Sequence, residues 1–403
     1  MSTSLIYHGF GAVGYTYLKS EYRNGKIYFH IEKKPEYRYC VDCKSRDIIK
    51  KGCVKREIKT LPIGGKTVIF VVSLYRLSCR ECGALKQESV LLAFPKKHWA
   101  KSLGRYVVEL LKHSTVEDVA EHLGMHWNTI KDIHVRELTK KLKKRKLRQL
   151  QYLGVDEIAV KKGHNYLTVV VDLLTGHVVW VAEGRKASSF EDFLKKLKRV
   201  NAHIKAIAMD MWPAYISAAK KYYPLDVIVF DRFHIISECN KMIDELRRKE
   251  AHTAELTEKK VFKGVRYLLL KGQESIENDY KAQYRLHRLL EVNKALNTAY
   301  ILKEELRELW SCTSCDEAEQ YLDNWLKKAW VSGIEPVTKF AKRIASHRSG
   351  ILNYFKYPVT TAKVEGINNK IKVLKRNAYG FRDIHYFKMR IYALNESRYA
   401  LIG

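Results

Sequence analysis

The spacing of apolar positions changes several times along the chain, and each change predicts a different kind of element. Residues 1–36 are Tyr-rich and irregular, with "KIYFHIE" as a candidate strand. Over 37–90 two β-prone runs, "CVKREIKT" and "TVIFVVSLYRLS", are broken by "LPIGGK", which predicts a hairpin. Residues 102–140 take up helical spacing. From Gln151 three strands are expected, "YLGVDEIAV", "NYLTVVVDL" and "HVVWVAEGR", then a helix in "SSFEDFLKKLKRV" with Ser188 or Ser189 as its N-cap. Two further apolar runs, "IKAIAMD" and "DVIVFD", bracket a short helix that opens near Pro213, and together these predict a mixed α/β sheet. Strand signals then cease. From about Ile235 to Phe355 Glu, Lys, Leu and Arg recur at helical spacing, so a helical block of roughly 120 residues interrupts the sheet. "PVTTAKVEGINNKIKVLKR" predicts a helix opening near Thr360 or Thr361, and "FRDIHYFKMRIYALNES" a last one.

At 403 residues the chain exceeds what one core usually supports, so several domains are expected. The net charge of +30 is spread over both parts: the first 148 residues hold 31 Lys+Arg against 14 Asp+Glu. With 11% aromatic residues and a pI of 9.6, this is the footprint of a protein that neutralises phosphates. No stretch approaches the roughly 18 to 20 apolar residues that span a bilayer, and "MSTSLIYHGFGAVGYTYLKS" has no secretory pattern. A cytoplasmic protein without a membrane partner is expected. Eight cysteines in such a chain point to metal ligation or burial, not to disulfides.

Cys40-x2-Cys43 and Cys79-x2-Cys82 each offer two thiolates from one tight turn, and the 35 residues between the pairs suit a zinc ribbon with one structural Zn2+. The metal is expected to supply much of the folding energy of so small a module. Cys53 is read as a packing residue inside the hairpin, and Cys239 and the Cys312-x2-Cys315 pair as ordinary helix residues.

In "TVEDVAEHLGMHWNTIKDIHVREL" the small Ala120, the turn glycine Gly124 and the apolar Ile130 have helix-turn-helix spacing. The second helix would turn His126, Trp127, Asn128, Thr129 and Lys131 towards the major groove of double-stranded DNA. The basic run Lys140 to Arg148, with Lys143, Lys144 and Arg145 at its centre, would hold phosphates. Two amphipathic helices of a bundle would give a similar pattern.

Asp156 lies in a strand, Asp210 closes "IKAIAMD", and Glu365 sits on a late helix. Carboxylates that share two divalent cations about 4 Å apart can drive phosphodiester cleavage, but 44 acidic residues allow many triplets. On the helix of Glu365, Val364, Ile367, Ile371 and Leu374 form the packing face, with Glu365, Asn368, Asn369 and Lys372 opposite it.

"GVDEIAVKKGHNYLTVVVDLLTGHVVW", "AMDMWPAYISAAKKYYP", "VIVFDRFHII" and "TTAKVEGINNKIKVLKRNAYGFRD" resemble, in that order, the catalytic segments of bacterial insertion-sequence transposases of the ISL-three family. The resemblance covers about residues 37 to 400. It implies a ribonuclease-H-like fold whose D-D-E triad falls on Asp156, Asp210 and Glu365, two Mg2+ ions (Mn2+ able to substitute) held by those residues, and an activity that cuts terminal inverted repeats and joins them to target DNA. Asp231 and His234 of "DRFH" match the same pattern as supporting residues; Asp172, in a neighbouring strand, is read as structural. Lys370, Lys372, Lys375, Arg376 and Arg382 would grip DNA, and a homodimer or higher assembly would pair two ends at the bacterial nucleoid. A zinc-dependent DNA-binding regulator with an inert catalytic domain, or a hydrolysis-only nuclease of the same fold, are the rival readings. The expected architecture is therefore multidomain α+β: an N-terminal segment (1–36), a zinc ribbon (37–90), a helix-turn-helix domain with basic linker (91–150), and a ribonuclease-H-like mixed α/β catalytic domain (151–234 and 356–403) around an all-helical insertion (235–355).

Overall fold

The computed structural model describes residues 4–143, 146–161, 165–255 and 258–394, the side chains of Lys143 and Lys161 excepted. The described residues form two compact units, one of 4–143 with 377–389 and the other of 146–376 with 390–394.

In the first unit a one-turn helix α1 (Leu5–His8) leads into β1 (Tyr15–Arg23), β2 (Lys26–Lys33), β3 (Ile48–Ile63), β4 (Lys66–Cys79) and the short β5 (Leu85–Gln87). The strands run β1-β2-β4-β3, with β5 also pairing with β4. The first 36 residues are thus not irregular. Asn24 and Gly25, both at positive φ, make a two-residue turn between Arg23 and Lys26, and β2 runs parallel to β4, so this hairpin widens the ribbon sheet. Gly64 and Gly65 make the second such turn, joining β3 to β4. Phe10, Phe29 and Phe70 pack edge to face at the centre of the core, with Phe10 at 5.8 Å from Phe29 and 5.3 Å from Phe70.

Three helices follow in this unit, α2 (Lys101–Leu110), α3 (Val116–Leu123) and α4 (Trp127–Lys143). Thr115 and Asp118 exchange side-chain bonds with each other's backbone N–H, a capping box that starts α3, and Gly124 at φ 54° ends it. Leu103, Val107, Val119, Ala120, Ile130 and Ile133 close the core between the helices. The Lys59 ammonium, carried on β3, donates to the Leu123 and Gly124 carbonyls and so ties the sheet to the end of α3.

The second unit carries β6 (Tyr152–Lys161), β7 (Asn165–Asp172), β8 (Val178–Glu183), α5 (Ala187–Arg199), β9 (Ala206–Met209), α6 (Pro213–Tyr222) and β10 (Ile228–Phe230). The strand order is β10-β9-β6-β7-β8, with β6, β7 and β8 antiparallel and β9 and β10 parallel to β6. Parallel pairing demands crossovers, which α5 and α6 supply. Leu153 and Val155 share their core with Phe190 and Phe193 of α5 and Tyr215 of α6, so by strand alternation Gly154 and Asp156 face the other side. The expected serine cap of α5 does not form: Lys186 holds the N-cap position, and the Ser189 hydroxyl donates to the Glu183 carbonyl.

The helical stretch comprises α7 (Arg232–Thr253), α8 (Lys259–Phe262), α9 (Arg266–Leu270), α10 (Tyr280–Val292), α11 (Lys294–Glu308), α12 (Cys315–Val331), α13 (Glu335–Ser346) and α14 (Arg348–Lys356), followed by α15 (Ala362–Asn377). Its apolar residues are continuous with the core of the sheet. Lys303 is fully buried there, donating to the Leu269 and Lys271 carbonyls. The last helix is α16 (Ile384–Tyr392). The stretch 356–403, expected to close the catalytic domain as one piece, is divided, because residues 377–389 pack with the first unit.

Candidate active site, metal centre and DNA-binding helices

Three aspartates collect at one edge of the second sheet. Gly154 pairs with Ala208 in parallel register, so Asp156 stands two residues beyond the last pair on β6 and Asp210 two residues beyond it on the other side, just past the end of β9. Phe230 pairs with Met209 and the Asp231 N–H donates to the Met209 carbonyl, so Asp231 follows on the third strand. Helix α15 approaches the sheet over Gly154, where an added Cβ would lie 2.5 Å from Val364 Cγ2. Glu365 is the next residue, and one turn further Asn368 Nδ2 donates to Asp156 Oδ2 at 2.8 Å.

Burial holds the Asp156 carboxyl above its ordinary range, and the charges of Asp210 and Glu365 push it the same way, against the Glu157 N–H and His234. His234 Nδ1 lies 3.9 Å from Asp210 Oδ2. Two buried polar atoms at the site, His234 Nε2 and Asn368 Oδ1, have no hydrogen-bond partner among the described residues. Like-charged oxygens in mutual reach, with unsatisfied polar atoms beside them, form a donor set fit for hard divalent cations. The carboxylates are spread more loosely than the thiols below, which are the cluster of His, Cys, Asp and Glu ligand atoms found within 4.8 Å of one another among the described residues.

Asp231 sits differently. It is 2% exposed, its Oδ1 accepts from the Phe233 N–H at 2.7 Å, and its Oδ2 accepts from the Thr361 N–H at 2.5 Å and the Thr361 hydroxyl at 2.9 Å. Both oxygens are engaged in starting α7 and in anchoring the residue that precedes α15.

In the first unit Cys40 Sγ is 3.6 Å from Cys82 Sγ, and Cys43 Sγ is 3.5 Å from Cys79 Sγ. A tetrahedron of Zn–S bonds of about 2.3 Å has edges of about 3.8 Å, so the four thiols fit one zinc ion. The knuckles match in backbone as well: Lys44 and Gly83, each directly after a Cys-x2-Cys, both adopt positive φ. The Cys43 and Asp42 backbone N–H groups help bring the Cys40 thiol down to about 7, while the crowding of the four thiols pushes Cys43 and Cys82 up.

A family model described as "Transposase" matches residues 153–391, and one described as "Helix-turn-helix domain of transposase family ISL3" matches residues 102–136. The chain belongs to transposase family ISL3. The transposase for insertion sequence element IS1001 of Bordetella parapertussis is 33% identical over 358 residues, 88% of this chain and 88% of its own length. That for IS1557 of Mycobacterium tuberculosis is 30% identical over 292 residues, 66% of this chain and 64% of its own. The solved Drosophila P element transposase strand transfer complex aligns over 73% of this chain and 91% of that chain at 12% identity, with a TM-score of 0.37, a likeness too slight to carry an argument. As a transposase of an insertion sequence the protein is an enzyme that cleaves and transfers DNA, and its first unit carries the family's DNA-binding helix-turn-helix. No helix among the described residues is long and apolar enough to cross a membrane.

In the transposase, Trp127 and Asn128 are exposed at the start of α4, while His126 Nδ1 accepts from the Asn128 N–H and so caps that helix. Thr129 is half-buried. Lys131 is not free for DNA: it pairs with Asp383 at 2.7 Å and lies over the Trp127 and Tyr386 rings. The side chain of Lys143, with Lys144 and Arg145, lies outside the described residues. Lys370, Lys372, Arg376 and Arg382 are exposed, whereas Lys375 Nζ donates to the Val160 carbonyl of β6. Cys53 is exposed on β3 and not a packing residue, and Cys239 is fully buried on α7. Asp172 accepts from the Leu174 N–H and the Thr175 hydroxyl and shapes the turn after β7. Asn368 was placed on the polar face of its helix, yet it is 7% exposed, because it takes the fourth position of the Val364, Ile367, Ile371 stripe and so meets the sheet.

Proposed function

We propose that the second unit is a ribonuclease-H-like catalytic domain, formed by residues 151–234 and 356–376 around the helical insertion, in which Asp156, Asp210 and Glu365 are a D-D-E triad. The observation that supports this reading is that the helix of Glu365 is bonded to Asp156 through Asn368, while Asp210 follows the strand that pairs parallel with that of Asp156. The triad's oxygens would hold two Mg2+ ions, Mn2+ able to substitute, which when bound supply the charge that activates the attacking oxygen and stabilises the leaving one. Asn368 fixes the orientation of Asp156, and His234 faces Asp210.

Two displacements follow. Water attacks a phosphodiester at the element end, the P–O3′ bond breaks, and a 3′ hydroxyl and a 5′ phosphate are left. That hydroxyl then attacks target DNA in line and releases a target 3′ hydroxyl. The first unit, with one Zn2+ on Cys40, Cys43, Cys79 and Cys82, recognises the terminal inverted repeats through Trp127, Asn128 and their helix, while Lys370, Lys372, Arg376 and Arg382 grip the DNA backbone. Two ends must be joined, so two copies or more act together, at the nucleoid of the bacterial cytoplasm.

Duplex DNA from the borders of the element that encodes the chain tests this directly, with wild type and Asp156→Asn compared in Mg2+ and in EDTA. Cleavage and strand-transfer products are expected only from wild type with Mg2+. Equal cutting by the substituted protein removes the triad, binding without cutting favours the inert regulator, and hydrolysis without joined products favours the nuclease.

A further inference from the structure

Beside the carboxylates, at the same sheet edge, Arg185 follows β8 in a setting that core packing does not explain. Its guanidinium carbon lies 4.4 Å from the centre of the Tyr166 ring and 4.8 Å from that of Trp212. The Trp212 indole N–H donates to the Arg185 carbonyl at 3.1 Å, so ring and backbone fix each other. Trp212 stands two residues after Asp210. The nearest anion is Glu157 Oε1 at 3.9 Å, an ion-pair distance too long for a hydrogen bond. Among the described residues the guanidinium donates no hydrogen bond, and its side chain is 36% exposed.

A planar cation held between two rings loses little freedom on binding, and its forked donors match a phosphate. An arginine that merely pinned the loop would be expected to spend its N–H groups on carbonyls or carboxylates, as Arg348 does on Glu319 and Asp323. Glu157 follows Asp156 on β6, so by strand alternation its side chain lies on the face of α5 and α6, opposite to that of Asp156. Burial raises its carboxyl above the usual range, the charges of Asp156 and Asp210 adding to this and Arg185 opposing it. The arginine is linked to the acidic site through Trp212, two residues after Asp210, at the same end of the sheet.

We infer that Arg185 binds a DNA phosphate next to the scissile one and so sets the register of the strand in the site. Tyr166 and Trp212 hold the guanidinium in place, and Glu157 is its nearest anion. This rests on the triad reading given above.

The test is a phosphate scan. Element-end duplexes carrying a single neutral methylphosphonate at successive positions around the cut are cleaved, in Mg2+, by wild type, Arg185→Gln and Arg185→Lys, with Asp156→Asn alongside. A hydrogen-bonded charge of this kind is worth about 10- to 100-fold in cleavage rate. Wild type is expected to lose that factor at one flanking position. Arg185→Gln should lose it on unmodified DNA and lose nothing more at that position, whereas Arg185→Lys should fall between. A position-by-position profile in Arg185→Gln that parallels wild type overturns the assignment, as does wild-type cutting of unmodified DNA by this variant. If Arg185→Gln does not fold, Arg185→Ala decides by the same comparison, a profile parallel to wild type again overturning the assignment. Cutting by Asp156→Asn sinks the triad reading instead, so the two failures are distinct.

Discussion

Asn368 Nδ2 and Asp156 Oδ2 are 2.8 Å apart, a single hydrogen bond that ties a helix near the end of the chain to a strand in its middle. Asp156 Oδ1 already accepts from the Glu157 N–H, so this bond fixes the remaining oxygen. Asn368→Ala removes a donor to a charged acceptor, an interaction of about 1.5–3 kcal/mol. Single-turnover cutting should slow by about 10- to 100-fold while end binding stays unchanged, and the Mg2+ concentration for half-maximal rate should rise. Asn368→Asp should do worse, because it adds a fourth negative charge. Unchanged Mg2+ dependence in both variants would show that Asn368 does not position Asp156.

Gly154 sets how closely α15 can approach β6. An alanine Cβ there would lie 2.5 Å from Val364 Cγ2 and 2.8 Å from Leu173 Cδ2, and overpacking of this kind costs about 1–3 kcal/mol. The relief is to push α15 outward, carrying Glu365 with it. Gly154→Ala should therefore lose cutting while remaining folded by circular dichroism, and adding Val364→Ala should restore part of it. Full activity in Gly154→Ala would mean that α15 tolerates the displacement.

Asp231, expected as catalytic support, is 2% exposed and accepts three hydrogen bonds, two of them from the buried Thr361, so it is expected to act on position and not on cations. Asp231→Ala removes an N-cap, at about 1 kcal/mol, and leaves the buried Thr361 N–H unpaired, at about 1–3 kcal/mol more. Differential scanning calorimetry should show a lower Tm, and the Mg2+ dependence of the remaining cutting should match wild type. A shift of that dependence with the Tm unchanged would make Asp231 a ligand after all.

These three sites also mark how far the sequence could be read. The sheet strands were legible from their apolar runs, which in β7 and β9 are buried on both faces. The hairpin of β1 and β2 escaped, although Asn24-Gly25 is a strong turn signal, because β1 is mostly exposed and shows no clean alternation. Ser188 and Ser189 stood where a cap was wanted, but Ser189 bonds back to β8. Asn368 interrupts an apolar stripe, and a wheel of side-chain polarity assigns it to solvent. The Arg185 cage draws on Tyr166 and Trp212, so no local spacing announces it.

The zinc prediction is local, and the burial of β3 says why. From Ile48 to Lys55 that strand is exposed or half-buried, whereas Ile58 and Thr60 are buried beside Val68, Phe70 and Val72 of β4. At the knuckle end, of these two strands only β4 contributes buried apolar side chains, Leu74 and Leu77, while the far end shares a core with Phe10, Phe29 and Ile31. The ribbon is continuous with β1 and β2, so zinc is expected to supply much of the folding energy of the knuckle end and less of the far end's. Purified protein should carry about one zinc per chain. Chelation, or Cys40→Ser with Cys43→Ser, should speed amide exchange over residues 40–54 and 75–87, leave 58–72 protected, and weaken binding to element ends. Uniform loss of protection across the sheet would show that the ion holds the whole unit, and a native protein purified without zinc would remove the site.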